Sequence, residues 1–203
     1  HPLGYEMKLR EPLDFYSVTD HGVYMGMIQA YADTSTEISQ NDFAEPFHNI
    51  NRLENLTVES AGQRSNIFSS VLGATIIQPY PDWHPKLLMA YLTRNTQLAL
   101  KSFDYDIHKS AWADIARSAN EHNDPGHFTT FIGYEFTTST DIEGGNLHRN
   151  VIFNSSEASI RPWTRIDSTN PEDLWTWQDR LREKGVDTIC LLYTSDAADE
   201  YSG

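Results

Sequence analysis

Cysteine is nearly absent from this 203-residue sequence, which contains only Cys190. A single thiol excludes a disulfide within the chain and a metal site built from several cysteines. Any metal ion would therefore be held by histidine, aspartate and glutamate side chains. Long apolar runs are also absent, since none approaches the roughly 20 residues that a membrane-spanning helix requires. We therefore expect no membrane segment.

Positive charge is scarce as well. The sequence has 15 Lys and Arg against 29 Asp and Glu, which gives a formal net charge of −14. Such a surface repels nucleic acid, and no basic stripe counteracts it, so we expect no nucleic-acid partner. An excess of carboxylates also suits a protein that concentrates cations, although a solvated acidic surface is the simpler explanation. The 39% hydrophobic and 12% aromatic content predicts a folded domain.

Three short motifs place side chains that can bind metals beside apolar runs: Thr19–His21, Gly133–Glu135 and Asn146–Asn150. Imidazole and carboxylate groups at strand ends are how α/β enzymes assemble a metal site on one rim of a sheet or barrel. A lone histidine after a strand is more often structural. Glu135 is harder to dismiss, because a carboxylate within an apolar stretch is costly to bury unless it is paired or metal-bound.

The pattern of elements predicts an α/β fold with a parallel or barrel-like sheet. Apolar runs predict strands at 13–18, 128–134 and 151–153 and a further strand from Val186, while helical spacing predicts helices at 86–101 and 110–121. Asn170 and Pro171 predict the start of a third helix, which we expect to end near Lys184. Residues 22–109 are long for one crossover and are interpreted as a helical insertion near the mouth of the site.

The C-terminal residues 190–203 have a different character. The stretch from Cys190 to Glu200 resembles the translation of a transposase-type sequencing adapter. We therefore expect a native domain over residues 1–189 followed by a non-native tail, with an ordinary polar terminus as the alternative. On that interpretation the only cysteine is not native.

The three motifs and the residues that flank them resemble the DUF3604 family, which is related to the polymerase and histidinol phosphatase (PHP) metal-dependent hydrolases. The likeness is carried by residues 1–21, 119–135 and 144–175, and it spans about residues 1–189. It implies a PHP-like distorted (β/α)7 barrel with two or three divalent metal ions, Zn, Mn or Fe, at the C-terminal ends of the strands. This chain would hold an incomplete barrel and only part of the ligand set.

The resemblance also implies roles for individual residues. His21 and His148 correspond to metal ligands, and Glu135 corresponds to the carboxylate that bridges two metals. Asp20 is expected to orient a ligand. Arg149 is a candidate clamp for an anionic substrate, with a structural salt bridge as an equal alternative. Asn146 and Asn150 are expected to serve caps or turns, with hydrogen bonds to ligands or the substrate as the alternative.

These roles imply a hydrolase that uses a metal-bridged hydroxide. Analogy with the superfamily favours a small anionic phosphoester as the substrate, with an amide or another ester as the alternative. The alternative is a non-catalytic, metal-stabilised binding or structural domain. A polynucleotide exonuclease is disfavoured by the negative charge. We expect residues 1–203 alone to be weak or inactive, because expected ligand motifs are missing. Relatives often carry export signals, which favours a periplasmic or secreted location.

Overall fold

The computed structural model of the chain describes residues 8–48, 57–59, 61–62, 102–139, 146–168 and 170–193. The predicted helix at 86–101 lies outside these residues. The main elements are β1 (Phe15–Ser17), α1 (Met27–Ala32), two 3-10 helices (Ile38–Gln40 and Asp42–Phe47), α2 (Tyr105–Glu121), β2 (Thr129–Phe131), β3 (Gly133–Ser139), β4 (Asn146–Phe153), α3 (Pro171–Arg182) and β5 (Thr188–Tyr193). The chain is therefore a mixed α/β protein, as the sequence predicts.

The strands form two small sheets, and the described ranges contain no closed barrel. β1 pairs with β2 in parallel, whereas β3, β4 and β5 form an antiparallel sheet in that order. The prediction of a parallel or barrel-like sheet is therefore wrong for the second sheet, formed by β3, β4 and β5, which is antiparallel. Only residues 140–145 separate β3 from β4, which is too short for the dozen or more residues that a parallel crossover needs.

The two sheets are joined where β2 passes into β3. The Glu135 amide donates to the Asp20 carbonyl at 2.8 Å, and the Gly22 amide donates to the Glu135 carbonyl at 2.8 Å. The segment after β1 therefore continues in parallel beside β3, whose other edge pairs with β4. At Gly133 an added Cβ would lie 2.6 Å from the Ser17 hydroxyl oxygen, so only glycine fits this close approach.

Helices α2 and α3 cover one face of the antiparallel sheet. Along β3 and β4, several fully buried side chains point to this face and pack against Trp112 of α2 and Leu174 of α3: Tyr134, Phe136, Val151 and Phe153. Because successive side chains in a strand point to opposite faces, the residues between them lie on the other face. That face carries Glu135 and His148.

Both long helices have N-caps that fix where they begin. The Asp104 carboxylate accepts hydrogen bonds from the amides of Asp106 and Ile107, so α2 begins at Tyr105, earlier than the predicted 110. Asn170 caps α3 with Pro171 in its first turn, as predicted, and the helix ends at Arg182, before the predicted Lys184.

β5 continues through Cys190 to Tyr193 and pairs with β4, so part of the predicted non-native tail is an ordered strand. The origin of residues 190–203 stays a prediction, as do the domain and insertion boundaries. No helix within the described ranges is long and apolar enough to cross a lipid bilayer.

The N-cap of α2 can be tested by substitution. We expect Asp104→Ala to lower the free energy of unfolding by about 1 kcal/mol, because two amides of the first turn lose their acceptor. Asp104→Asn retains a capping oxygen and is expected to be nearly neutral. Urea denaturation followed by circular dichroism measures both variants, and an equal loss in both would contradict the cap.

Candidate metal centre

Three segments of the chain each place one side chain at a common point. His21 comes from the segment after β1, Glu135 from the centre of β3 and His148 from β4. Each offers a potential ligand atom, and these atoms all lie within 4.8 Å of one another. The structure therefore brings together the three residues that the sequence proposes as metal ligands. We call them the His–Glu–His cluster.

The antiparallel register places two members of the cluster. Thr137 of β3 lies opposite His148 of β4, and Glu135 lies opposite Asn150. Glu135 and His148 are therefore diagonal neighbours on one face of the sheet, a spacing that long side chains can bridge. The third member, His21, reaches the same face because its backbone lies beside Glu135.

Hydrogen bonds converge on one oxygen of Glu135. Its Oε1 atom accepts a hydrogen bond from the Thr137 hydroxyl at 2.5 Å and another from Nδ1 of His148. Nδ1 of His21 lies 2.7 Å from the Thr137 hydroxyl oxygen and 3.2 Å from Oε1 itself. A hydroxyl has one proton, and Thr137 gives it to Glu135, so Nδ1 of His21 donates to Thr137. Positive hydrogen ends thus surround a single carboxylate oxygen.

This arrangement sets the charge state of Glu135. Burial raises the pKa of its carboxyl group, but the hydrogen bonds from Thr137 and His148 and the positive potential of both imidazoles outweigh burial. The net result is a pKa below the ordinary value. Glu135 is therefore ionised at neutral pH, which is the form that binds cations.

Burial differs across the cluster. The side chains of Glu135 and His148 are each 15% exposed, whereas that of His21 is 57% exposed. The rings of the two histidines lie 6.1 Å apart between centroids. The cluster is therefore closed on the sheet side and open to solvent on the side of His21.

Thr137 is a site residue that the sequence analysis missed. It contacts two members of the cluster through one hydroxyl group. The signal was available in the sequence, because the residue two positions after Glu135 in a strand points to the same face.

Asn150 adds an amide group to the same face. It lies opposite Glu135, and its Oδ1 atom is buried without a hydrogen-bond partner. A buried polar atom that lacks a partner calls for one, such as a water molecule or a cation. Carboxylate, imidazole and amide oxygen together form a donor set that suits Zn²⁺, Mn²⁺ or Fe²⁺. The residues present therefore fit the expected metal.

Two predicted catalytic residues are placed differently. Asp20 takes part through its backbone carbonyl, which accepts from the Glu135 amide, while its side chain is exposed. Arg149 is 8% exposed and pairs with Phe136 on the buried face of the sheet. Because strand neighbours point to opposite faces, Arg149 does not share the face of His148. Its placement gives no support to the predicted role as an anion clamp.

The fold and the cluster together define a mixed α/β protein in which two histidines and a glutamate, residue types that can hold a metal ion, lie together. Comparison of the sequence with family models identifies its relatives: the chain belongs to the family described as "Protein of unknown function (DUF3604)", which matches residues 1–199. The family assignment made from the sequence is thereby confirmed. No curated protein and no solved structure matches the chain.

The hydrogen bond from Thr137 can be tested by titration. A group whose pKa is lowered on folding stabilises the protein above its unfolded-state pKa, and this stabilisation is lost as the pH falls through the folded value. We expect Thr137→Val to raise the pKa of Glu135 and to lower stability at pH 7, with little difference from wild type in strong acid.

NMR titration of the Glu135 carboxyl carbon measures the first effect, and urea denaturation across pH measures the second. Thr137→Ser retains the hydroxyl and serves as the matched control. A Glu135 pKa that is the same in the Val and Ser variants would show that the hydroxyl has no influence.

Proposed function

We propose that this protein is a metal-dependent hydrolase whose substrates are phosphoesters, and that His21, Glu135 and His148 hold the metal. One observation carries the proposal: the imidazoles of His21 and His148 converge on the ionised carboxylate of Glu135, and potential ligand atoms of the three residues all lie within 4.8 Å of one another. The choice of phosphoester substrates and the seven-stranded barrel rest on resemblance to the PHP hydrolases, and the two or three metal ions expected for the intact site rest on the same likeness.

The residues of the chain have defined tasks in this proposal. Glu135 would supply an anionic oxygen, since its lowered pKa keeps it ionised at neutral pH. His21 and His148 would bind as neutral imidazoles, so each must present a nitrogen that carries no proton. A bound divalent cation supplies Lewis-acid chemistry, which polarises a phosphoryl oxygen and activates water near neutral pH.

Thr137 and Asn150 would act beside the ligands. The Thr137 hydroxyl holds Glu135 through one lone pair, which leaves the remaining carboxylate positions for a cation. The unpaired Oδ1 of Asn150 offers a further acceptor on the same face, either to a cation or to a water molecule that approaches the substrate. Groups of this kind fix the orientation of ligands, and their loss typically weakens metal binding by about 10–100-fold.

The second candidate is a metal-stabilised binding or structural domain without catalysis. It is favoured by the backbone pairing between the His21 segment and β3, because a cation at the cluster would cross-link three segments and stabilise their packing. Such a cation would stabilise the fold even without a substrate site. The two candidates share the metal and differ in turnover.

Metal binding is tested first. We expect the wild-type chain to retain Zn²⁺ or Mn²⁺ after dialysis, and Glu135→Gln to lose it, because a neutral amide replaces the anionic ligand. Elemental analysis measures occupancy. At a free metal concentration 100 times the dissociation constant, binding should raise the free energy of unfolding by about 2.7 kcal/mol in wild type but not in Glu135→Gln. Glu157→Gln, at an exposed carboxylate, is the control. Equal occupancy in all three proteins would refute the site.

Turnover then separates the two functions. We expect metal-loaded protein to hydrolyse bis(p-nitrophenyl) phosphate, to lose this activity with a chelator and to regain it when metal is restored. Stoichiometric metal without detectable hydrolysis, also in any longer form of the protein, would favour the non-catalytic domain.

A further inference from the structure

We propose that His108 is a positioning residue, which holds the backbone of His21 in the place where its imidazole meets Glu135. The proposal rests on the proposed function, since it concerns how that metal site is assembled. His108 lies in α2 and belongs to none of the three motifs. It does not contact the cluster directly. It acts through Gly22, the residue after His21.

The hydrogen bond from His108 has a defined direction. Its Nε2 atom lies 2.8 Å from the Gly22 carbonyl oxygen, which can only accept, so Nε2 carries the proton. Its Nδ1 atom is buried without a partner, and the side chain is 0% exposed. Burial lowers the pKa of His108, so the ring is neutral at pH 7 and donates through Nε2 alone. Burying a polar side chain is costly unless it forms a hydrogen bond, and His108 forms this bond with Gly22.

Two hydrogen bonds and one close approach fix the position of Gly22. Its carbonyl accepts from His108, and its amide donates to the Glu135 carbonyl at 2.8 Å. A Cβ at this position would lie 2.7 Å from the ring of Tyr134, so the glycine sits directly against β3. Two residues further on, Tyr24 adopts φ 57°, a left-handed conformation that non-glycine residues rarely take. Such strain persists where the surrounding contacts enforce it.

His21 depends on this anchor more than its partners do. Glu135 and His148 lie on paired strands whose ladder fixes both backbones. His21 instead follows a three-residue strand, and its exposed ring is held by its contacts with Thr137 and Glu135. The two backbone bonds to Glu135 do not depend on His108. Loss of the bond from His108 would therefore free the Gly22 carbonyl alone, and we expect the ring of His21 to shift relative to Glu135. We therefore expect an effect on metal geometry that exceeds any effect on stability.

A pair of neutral amides tests this in the 203-residue chain. The Nε2 of glutamine reaches about as far as Nε2 of histidine, whereas asparagine is too short to reach the Gly22 carbonyl. We expect His108→Asn to weaken Co²⁺ binding about tenfold and to alter the visible absorption of bound Co²⁺. His108→Gln should restore both affinity and spectrum. Hydrogen exchange at the Gly22 amide, measured without metal, should accelerate in His108→Asn only.

Two controls separate positioning from general destabilisation. Leu174→Ala removes a buried side chain of α3, and His122→Asn makes the same replacement at the exposed histidine that follows the last residue of α2. Both should keep the wild-type Co²⁺ spectrum. Wild-type affinity and spectrum in His108→Asn would overturn the positioning role alone. An equal loss in His108→Asn and Leu174→Ala would assign His108 a structural role and overturn it too.

The outcomes distinguish this proposal from the proposed function. If the wild-type chain binds no Co²⁺, the proposed metal site is rejected, and the proposed role of His108 in metal binding is rejected with it. If wild type binds Co²⁺ and His108→Asn behaves identically, the metal site stands and only the role of His108 is rejected.

Discussion

Two backbone hydrogen bonds hold the candidate site together. The Glu135 amide donates to Asp20, and the Glu135 carbonyl accepts from Gly22, so one residue of β3 binds the residues on both sides of His21. Without this pairing, His21 would belong to a separate part of the structure. With it, an imidazole reaches a carboxylate that lies more than a hundred positions later in the sequence.

The antiparallel sheet separates packing from chemistry through its two faces. Aromatic side chains such as Tyr134 and Phe136 pack beneath helices α2 and α3, while Glu135 and Thr137, which alternate with them, face the cluster. The packed face holds the strand rigid, and a rigid strand fixes the position of its polar side chains. Arg149 is the exception, since it places a guanidinium group on the packed face. Burial raises the pKa of the Cys190 thiol, and the positive charge of Arg149 offsets part of that rise.

The residues that form the His–Glu–His cluster could be predicted from the sequence, but the detailed geometry of the cluster could not. His21, Glu135 and His148 could be proposed because their residue types are rare choices beside apolar strands. The place of Asn150 depends on the register between β3 and β4, and a shift by one residue would move its side chain to the other face. His108 gave no sequence signal, because its partner is a backbone carbonyl in a remote segment. The start of α3 was predictable because its cap, Asn170, is a local signal, whereas the cap of α2 at Asp104 was missed. The direction of strand pairing was a tertiary property.

The separation of the cluster members along the chain has a consequence for how the site forms. Glu135 and His148 are 13 residues apart, within one hairpin, whereas the contact between His21 and Thr137 spans 116 residues. The hairpin half can therefore form early, and the His21 half must wait for a long loop to close. The entropy of that closure grows only with the logarithm of loop length, by about 0.6 kcal/mol for each doubling. Evolution can thus lengthen the chain between the two halves of the site at little thermodynamic expense.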